Sequence, residues 1–170
     1  MNIFIILLRL LHIFFAVFWV GTTFALAAFI QPTSRAAGWD GIKFMQRLVS
    51  SGMTMELTFA GPMTILSGLA LYWIDSSGLS IQWITSGSGI AFTIGGISGI
   101  AALLIALFVN RPTANSIAGL GTTLPAPASA PTTEQVAKMM ELQEKLTQGT
   151  IRVALLVSVA LAAMATARYW

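Results

Sequence analysis

Leu10-Leu11-His12-Ile13-Phe14-Phe15-Ala16-Val17-Phe18-Trp19-Val20-Gly21 opens a run without a formal charge that extends to Ser34. Three more uncharged runs follow, at 57–74, 76–110 and 153–167. About 20 apolar residues cross a bilayer core. These runs therefore predict membrane spans near 3–30, 57–74, 89–109 and 150–169. Arg152 and Arg168 bracket the last and are long enough to snorkel outward. The whole chain agrees: 170 residues, 56% hydrophobic and 9% charged, where a soluble domain carries roughly 25% charged residues. The expected fold class is all-α, a polytopic membrane protein built as a four-helix bundle.

Residues 112–133 are also uncharged, but Pro112, Pro125, Pro127 and Pro131 stand among Ser, Thr and Gly. Such a backbone leaves hydrogen bonds unmade in lipid, so 111–132 reads as a cytoplasmic linker. An amphipathic helix is expected over 133–148. Thr132 with Gln135 three positions on has the form of a capping box, and the helix can run on into the last span, hinging at Gly149. The first span reads as a true span and not a signal peptide. It lacks a basic leader, and its apolar run continues past Ala25-Leu26-Ala27.

Arg35, Lys43 and Arg47 lie between the first two spans, and Arg111, Lys138, Lys145 and Arg152 between the last two. Basic loops stay inside, which places both termini on the outer side of a bacterial inner membrane. The +3 net charge is spread over these loops and does not suggest nucleic acid. The absence of cysteine excludes disulfides, thiolate metal sites and iron–sulfur clusters.

The two halves are alike. Phe29-Ile30-Gln31-Pro32-Thr33 in the first resembles Phe108-Val109-Asn110-Arg111-Pro112-Thr113 in the second. An amphipathic segment follows each; Ile42, Met45, Leu48 and Val49 form the apolar face of the first, and Val136, Met139, Met140 and Leu146 that of the second. Two parallel helical-hairpin repeats explain the pattern. Small residues recur along each span (Gly61, Thr64 and Gly68; Gly95, Gly99, Ala102 and Ala106; Ala154, Ser158, Ala162 and Ala165), as close helix packing in lipid requires. The same faces suit a homodimer or a place in a larger membrane complex. Pro62 inside the second span is expected to kink it.

Arg9, His12, Ala16, Trp19 and Thr23 share one helix face. An ionisable pair within a span points to function. Neutral imidazole is a good axial ligand for haem and a fair one for copper. Arg9 could pair a propionate and Trp19 flank a porphyrin. The bland alternative has His12 donating to a neighbouring carbonyl and Arg9 reaching the headgroups. Met53 and Met55 form an M-x-M pair, and thioethers suit Cu(I); flexible packing explains them as well. No Ser–His–Asp set, phosphate loop or paired intramembrane carboxylates appear, so the residues leave open whether any reaction is catalysed.

The segment 10–21 resembles the first helix of the CopD and HemJ-like membrane proteins, and Thr64-Ile65-Leu66-Ser67-Gly68-Leu69 resembles their T-x-x-x-G-L helix. The resemblance implies a four-helix core linked to haem b or copper, with His12 as the ligand carried over. The expected function is therefore haem or porphyrin association. The alternatives are a non-catalytic accessory subunit without cofactor, and copper or small-solute transport.

Overall fold

The computed structural model describes residues 3–122 and 132–170. Four long helices, α1 (Ile3–Ala36), α2 (Gly38–Asp75), α4 (Gly87–Leu120) and α5 (Thr133–Tyr169), are each apolar enough to cross a membrane. A single turn, α3 (Ile81–Ile84), sits in the loop between α2 and α4. No strand occurs among the described residues. The chain is an all-α, multi-pass membrane bundle.

Helices α1 and α2 form one antiparallel hairpin, and α4 and α5 the other. The tips of both hairpins lie at one end of the bundle. Residues 3–9, the α3 loop and the C-terminus lie at the opposite, terminal end, where Ser88 Oγ donates to the Trp170 carbonyl at 3.4 Å. The long helices hold 34 to 38 residues. At about 1.5 Å per residue they are rods of about 50 Å or more, against a hydrocarbon core of about 30 Å. Roughly 20 Å of bundle therefore projects from the membrane.

Two apolar cores follow from this length. Within the membrane part, Trp19, Ala60, Ala102, Val153 and Val157 are buried together. Small residues set the spacing there: a Cβ on Gly61 would come within 2.9 Å of Leu103, and one on Gly95 within 2.8 Å of Met164. Toward the tips, Ile42, Met45, Val49, Ile117, Met139, Leu142 and Leu146 fill a second core of larger side chains.

Several expectations change in detail. Arg111–Thr122 is helical and continues α4, so the linker does not begin at Arg111; the remainder, 123–131, lies outside the described residues. The reason is burial: Ala114 and Ile117 face the tip-end core, which favours helix despite Pro112. The buried stripe of α5 is Val153, Val157 and Ala160, whereas Ala162 and Ala165 are exposed. On the amphipathic segment Leu142 is buried and Met140 is 60% exposed. The capping box at Thr132 forms in full, and α5 runs unbroken past Gly149 to Thr166.

Helix α2 also passes Pro62 without interruption. Its break falls instead at Gly52, whose φ of 98° is open to glycine and strained for other residues. That break belongs to a π-helical turn at Val49–Met53. Helices α1 and α4 carry π turns at Leu26–Ile30 and Ala106–Asn110. In each, the residue just before a proline closes the turn: Gln31 N–H donates to the Leu26 carbonyl and Arg111 N–H to the Ala106 carbonyl. A proline has no N–H and crowds the carbonyl four residues back, and the wider turn relieves that crowding. Pro32 and Pro112 thus set the correspondence between the hairpins, rather than Phe29 and Phe108.

Candidate functional site

The residues expected to act together separate into three places. His12 lies on α1 facing α2. Its Nδ1 is 2.9 Å from the Thr64 carbonyl oxygen and 3.2 Å from Ser67 Oγ. A carbonyl only accepts, so Nδ1 carries the proton. The Ser67 hydroxyl donates to the Met63 carbonyl at 2.6 Å, which leaves its lone pairs toward the ring. In the neutral imidazole Nε2 is then the lone-pair nitrogen, and it has no hydrogen-bond partner among the described residues. The ring rests on Gly68, where a Cβ would approach Cε1 to 2.9 Å. Glycine at this position makes the room for the imidazole, and the T-x-x-x-G pattern of α2 supplies both the carbonyl and the gap.

Arg9, one turn nearer the terminal end, pairs with Asp75 at 3.3 Å. This bridge joins the ends of α1 and α2 at the expected level of the lipid headgroups. Trp19 is 3% exposed and packs over Gly61, with ring atoms 3.4 Å from where a Cβ would stand. It is about 10 Å further along α1 than His12 and belongs to the membrane core. His12 meets Thr64, Ser67 and Gly68, all from α2.

Met53 and Met55 do not converge. Met53 lines a partly open cavity, whereas Met55 is 80% exposed. No group of three or more His, Cys, Asp or Glu side chains that could hold a metal ion occurs among the described residues. The donor set fits a ligand that asks one imidazole nitrogen of this chain, as an axial haem bond does. It does not assemble a several-toothed copper site.

A second polar region is built mainly from uncharged amide and hydroxyl side chains. Between the two cores, at the level of the π turns, a cavity of about 80 Å³ is lined by Gln31, Asn110, Thr23, Thr58 and Thr150 among apolar side chains. Gln31 is 3% exposed and donates through Nε2 to Thr150 Oγ1 at 3.0 Å. Asn110 lies against Gly149 so closely that a Cβ there would stand 1.9 Å from Oδ1. The Gln31-Pro32 and Asn110-Arg111-Pro112 repeat was the available signal. It marks a polar residue beside a helix irregularity in both halves.

No family model, curated protein or solved structure matches this chain.

Proposed function

We propose that this protein holds a haem or related porphyrin in a bacterial inner membrane, with His12 Nε2 as the axial nitrogen. The observation that carries this reading is the imidazole itself. It stands one turn below the Arg9–Asp75 pair, its Nδ1 proton is taken by the Thr64 carbonyl, and Nε2 is left without a protein partner. An unpartnered polar atom at membrane depth is unfavourable. Metal-bound histidines commonly donate their other N–H to a backbone carbonyl, which fixes the tautomer and raises the basicity of the ligand nitrogen. Thr64 takes that part, Ser67 steadies the ring and Gly68 gives it space. This chain would supply one ligand nitrogen to the group, from His12, with Thr64, Ser67 and Gly68 holding the ring. Bound haem supplies one-electron or oxygen chemistry.

The orientation follows from charge. Seven of the nine basic residues, all but Arg9 and Arg168, lie within the long helices, in their tip-end halves or, for Arg152, at the edge of that half. The positive-inside rule then puts the hairpin tips in the cytoplasm and both termini outside. His12 sits in the outer half of the membrane.

An accessory, cofactor-free role is the second reading. It is favoured by the way Arg9–Asp75 and His12–Thr64 both join α1 to α2. Absorption spectra of the protein purified in mild detergent, oxidised and reduced, separate the two. The haem reading expects a Soret band that shifts on reduction, is lost in His12→Ala and weakens in Gly68→Ala. A colourless protein from cells supplied with haem precursor would refute it and leave the accessory role.

A further inference from the structure

We infer that the cavity between the two cores is a lipid site. An anionic phospholipid of the leaflet on the tip side sets its phosphate on Arg111 and the start of one acyl chain between α2 and α4. The site does not depend on the reading of His12.

Exposure fixes where the cavity opens. Every lining residue on α1 and α5 is buried, Trp19, Gln31 and Thr150 among them. Met53, Leu57 and Thr58 of α2 are half-buried, as is Leu107 of α4, and Arg111 is exposed. The mouth is therefore a gap between α2 and α4, where one hairpin meets the other. The seam is shut on both sides of it. Toward the terminal end, Tyr72 Oη and Thr93 Oγ1 are 2.6 Å apart. Cβ atoms on Gly99 and Gly61 would stand 3.3 Å from Ile65 and 2.9 Å from Leu103. Toward the tips, Met45, Val49, Ala114 and Ile117 are buried in a common core.

Depth selects a lipid. The helical segment Thr54–Asp75 holds 22 residues, about 33 Å, which matches the thickness of the hydrocarbon core. Asp75 pairs with Arg9 at one headgroup level, so Thr54 and the mouth stand at the other. There Arg111 has no ion pair or hydrogen-bond partner for its side chain among the described residues. Arg35, Lys43 and Lys138, nearer the tips, are all paired with carboxylates. An unpaired guanidinium at a gap between membrane helices suits a lipid phosphate, which its planar fork can hold through two oxygens.

The lining and the size narrow the class. No acidic residue lines the cavity, so a negative headgroup meets no opposing charge at the mouth. Behind Arg111 the walls of the mouth are mostly apolar, with Met53, Leu57, Ala106 and Leu107. The volume of about 80 Å³ lies below the roughly 150 Å³ that admits benzene. It takes a short length of acyl chain and has no room for a ring.

The test is native mass spectrometry of the full chain released from nanodiscs holding equal parts of phosphatidylglycerol and phosphatidylcholine with the same acyl chains. Phosphatidylcholine carries the same phosphate with a cation beside it. One phosphatidylglycerol should stay on each chain, favoured by about tenfold, as for one charge-assisted hydrogen bond. Arg111→Gln should abolish that preference. Arg47→Gln and Arg152→Gln change exposed cations that do not line the cavity and should leave it intact. Ala106→Leu and Thr58→Leu narrow the mouth from either helix. Each should lower phosphatidylglycerol retention by about fivefold through overpacking, with circular dichroism unchanged. Equal retention of the two lipids by the wild type, or a preference that survives Arg111→Gln, would overturn the proposal. So would a preference lost equally in Arg47→Gln, which would mean a diffuse basic collar, or retention indifferent to both mouth variants.

Discussion

The same four helices build two cores on different physical terms. In the membrane part, lipid tails are as apolar as the side chains, so packing comes from close backbone approach. Gly61, Gly95 and Ala102 accordingly stand where helices meet. In the projecting part, water drives burial, and Ile42, Ile117, Met139 and Leu142 do the work. Each such side chain contributes about 1.5–3 kcal/mol when buried from water. The layer between them is where one regime gives way to the other. There α1, α2 and α4 all carry π turns, and α5 presents Gly149 to Asn110. A helix pattern that suits both cores needs a shift of phase between them, and a π turn supplies one residue of shift.

The largest effect is expected at the projecting core. Ile117 is fully buried, and Ile117→Ala should cost about 2–5 kcal/mol. Thermal or denaturant unfolding in detergent should show it as loss of the tip-end helices, with the membrane part retained. A concerted loss of all four helices would mean that the cores are one unit. Next is the membrane core. Gly61→Val should cost about 1–3 kcal/mol by overpacking, because even a Cβ there would stand 2.9 Å from Leu103 and 3.4 Å from the Trp19 ring. A quenched or shifted Trp19 fluorescence would report it, and an unchanged signal would argue against the close approach.

The capping box is a smaller test of the projecting part. Thr132→Ala should cost about 0.5–2 kcal/mol, read as faster hydrogen exchange at the first turn of α5 and nowhere in α1. Smallest is the Arg9–Asp75 bridge, whose partners are 57% and 34% exposed. Asp75→Asn should cost no more than about 1 kcal/mol. A larger loss of stability would show that this bridge is held in a drier setting than its exposure indicates.

The membrane class was plain from four uncharged apolar runs, because no soluble domain keeps so few charges over such lengths. The capping box at Thr132 and Gln135 and the proline repeat were equally local, and both have structural counterparts. Gly52, the non-helical residue of α2, left no mark in the apolar pattern, whereas Pro62 lies within a continuous helical segment. The α5 stripe misled in part. Small residues lie on two faces of that helix, and only the partner helix selects between them.

His12 was conspicuous from sequence because an ionisable group in a span is rare. Its partners were not, since Thr64 and Ser67 sit 52 and 55 residues away and a backbone carbonyl leaves no mark in composition. Gln31 was less visible still. An uncharged amide near a span end is unremarkable until the tertiary structure closes Thr150 over it and buries its oxygen without a donor. The amino-acid order thus determined the four apolar helices, the two hairpins and the polar residues available, all through local periodicity and charge. Only the tertiary structure decided which of those polar groups were satisfied, because a hydrogen bond between helices depends on rotation and depth that no single helix specifies.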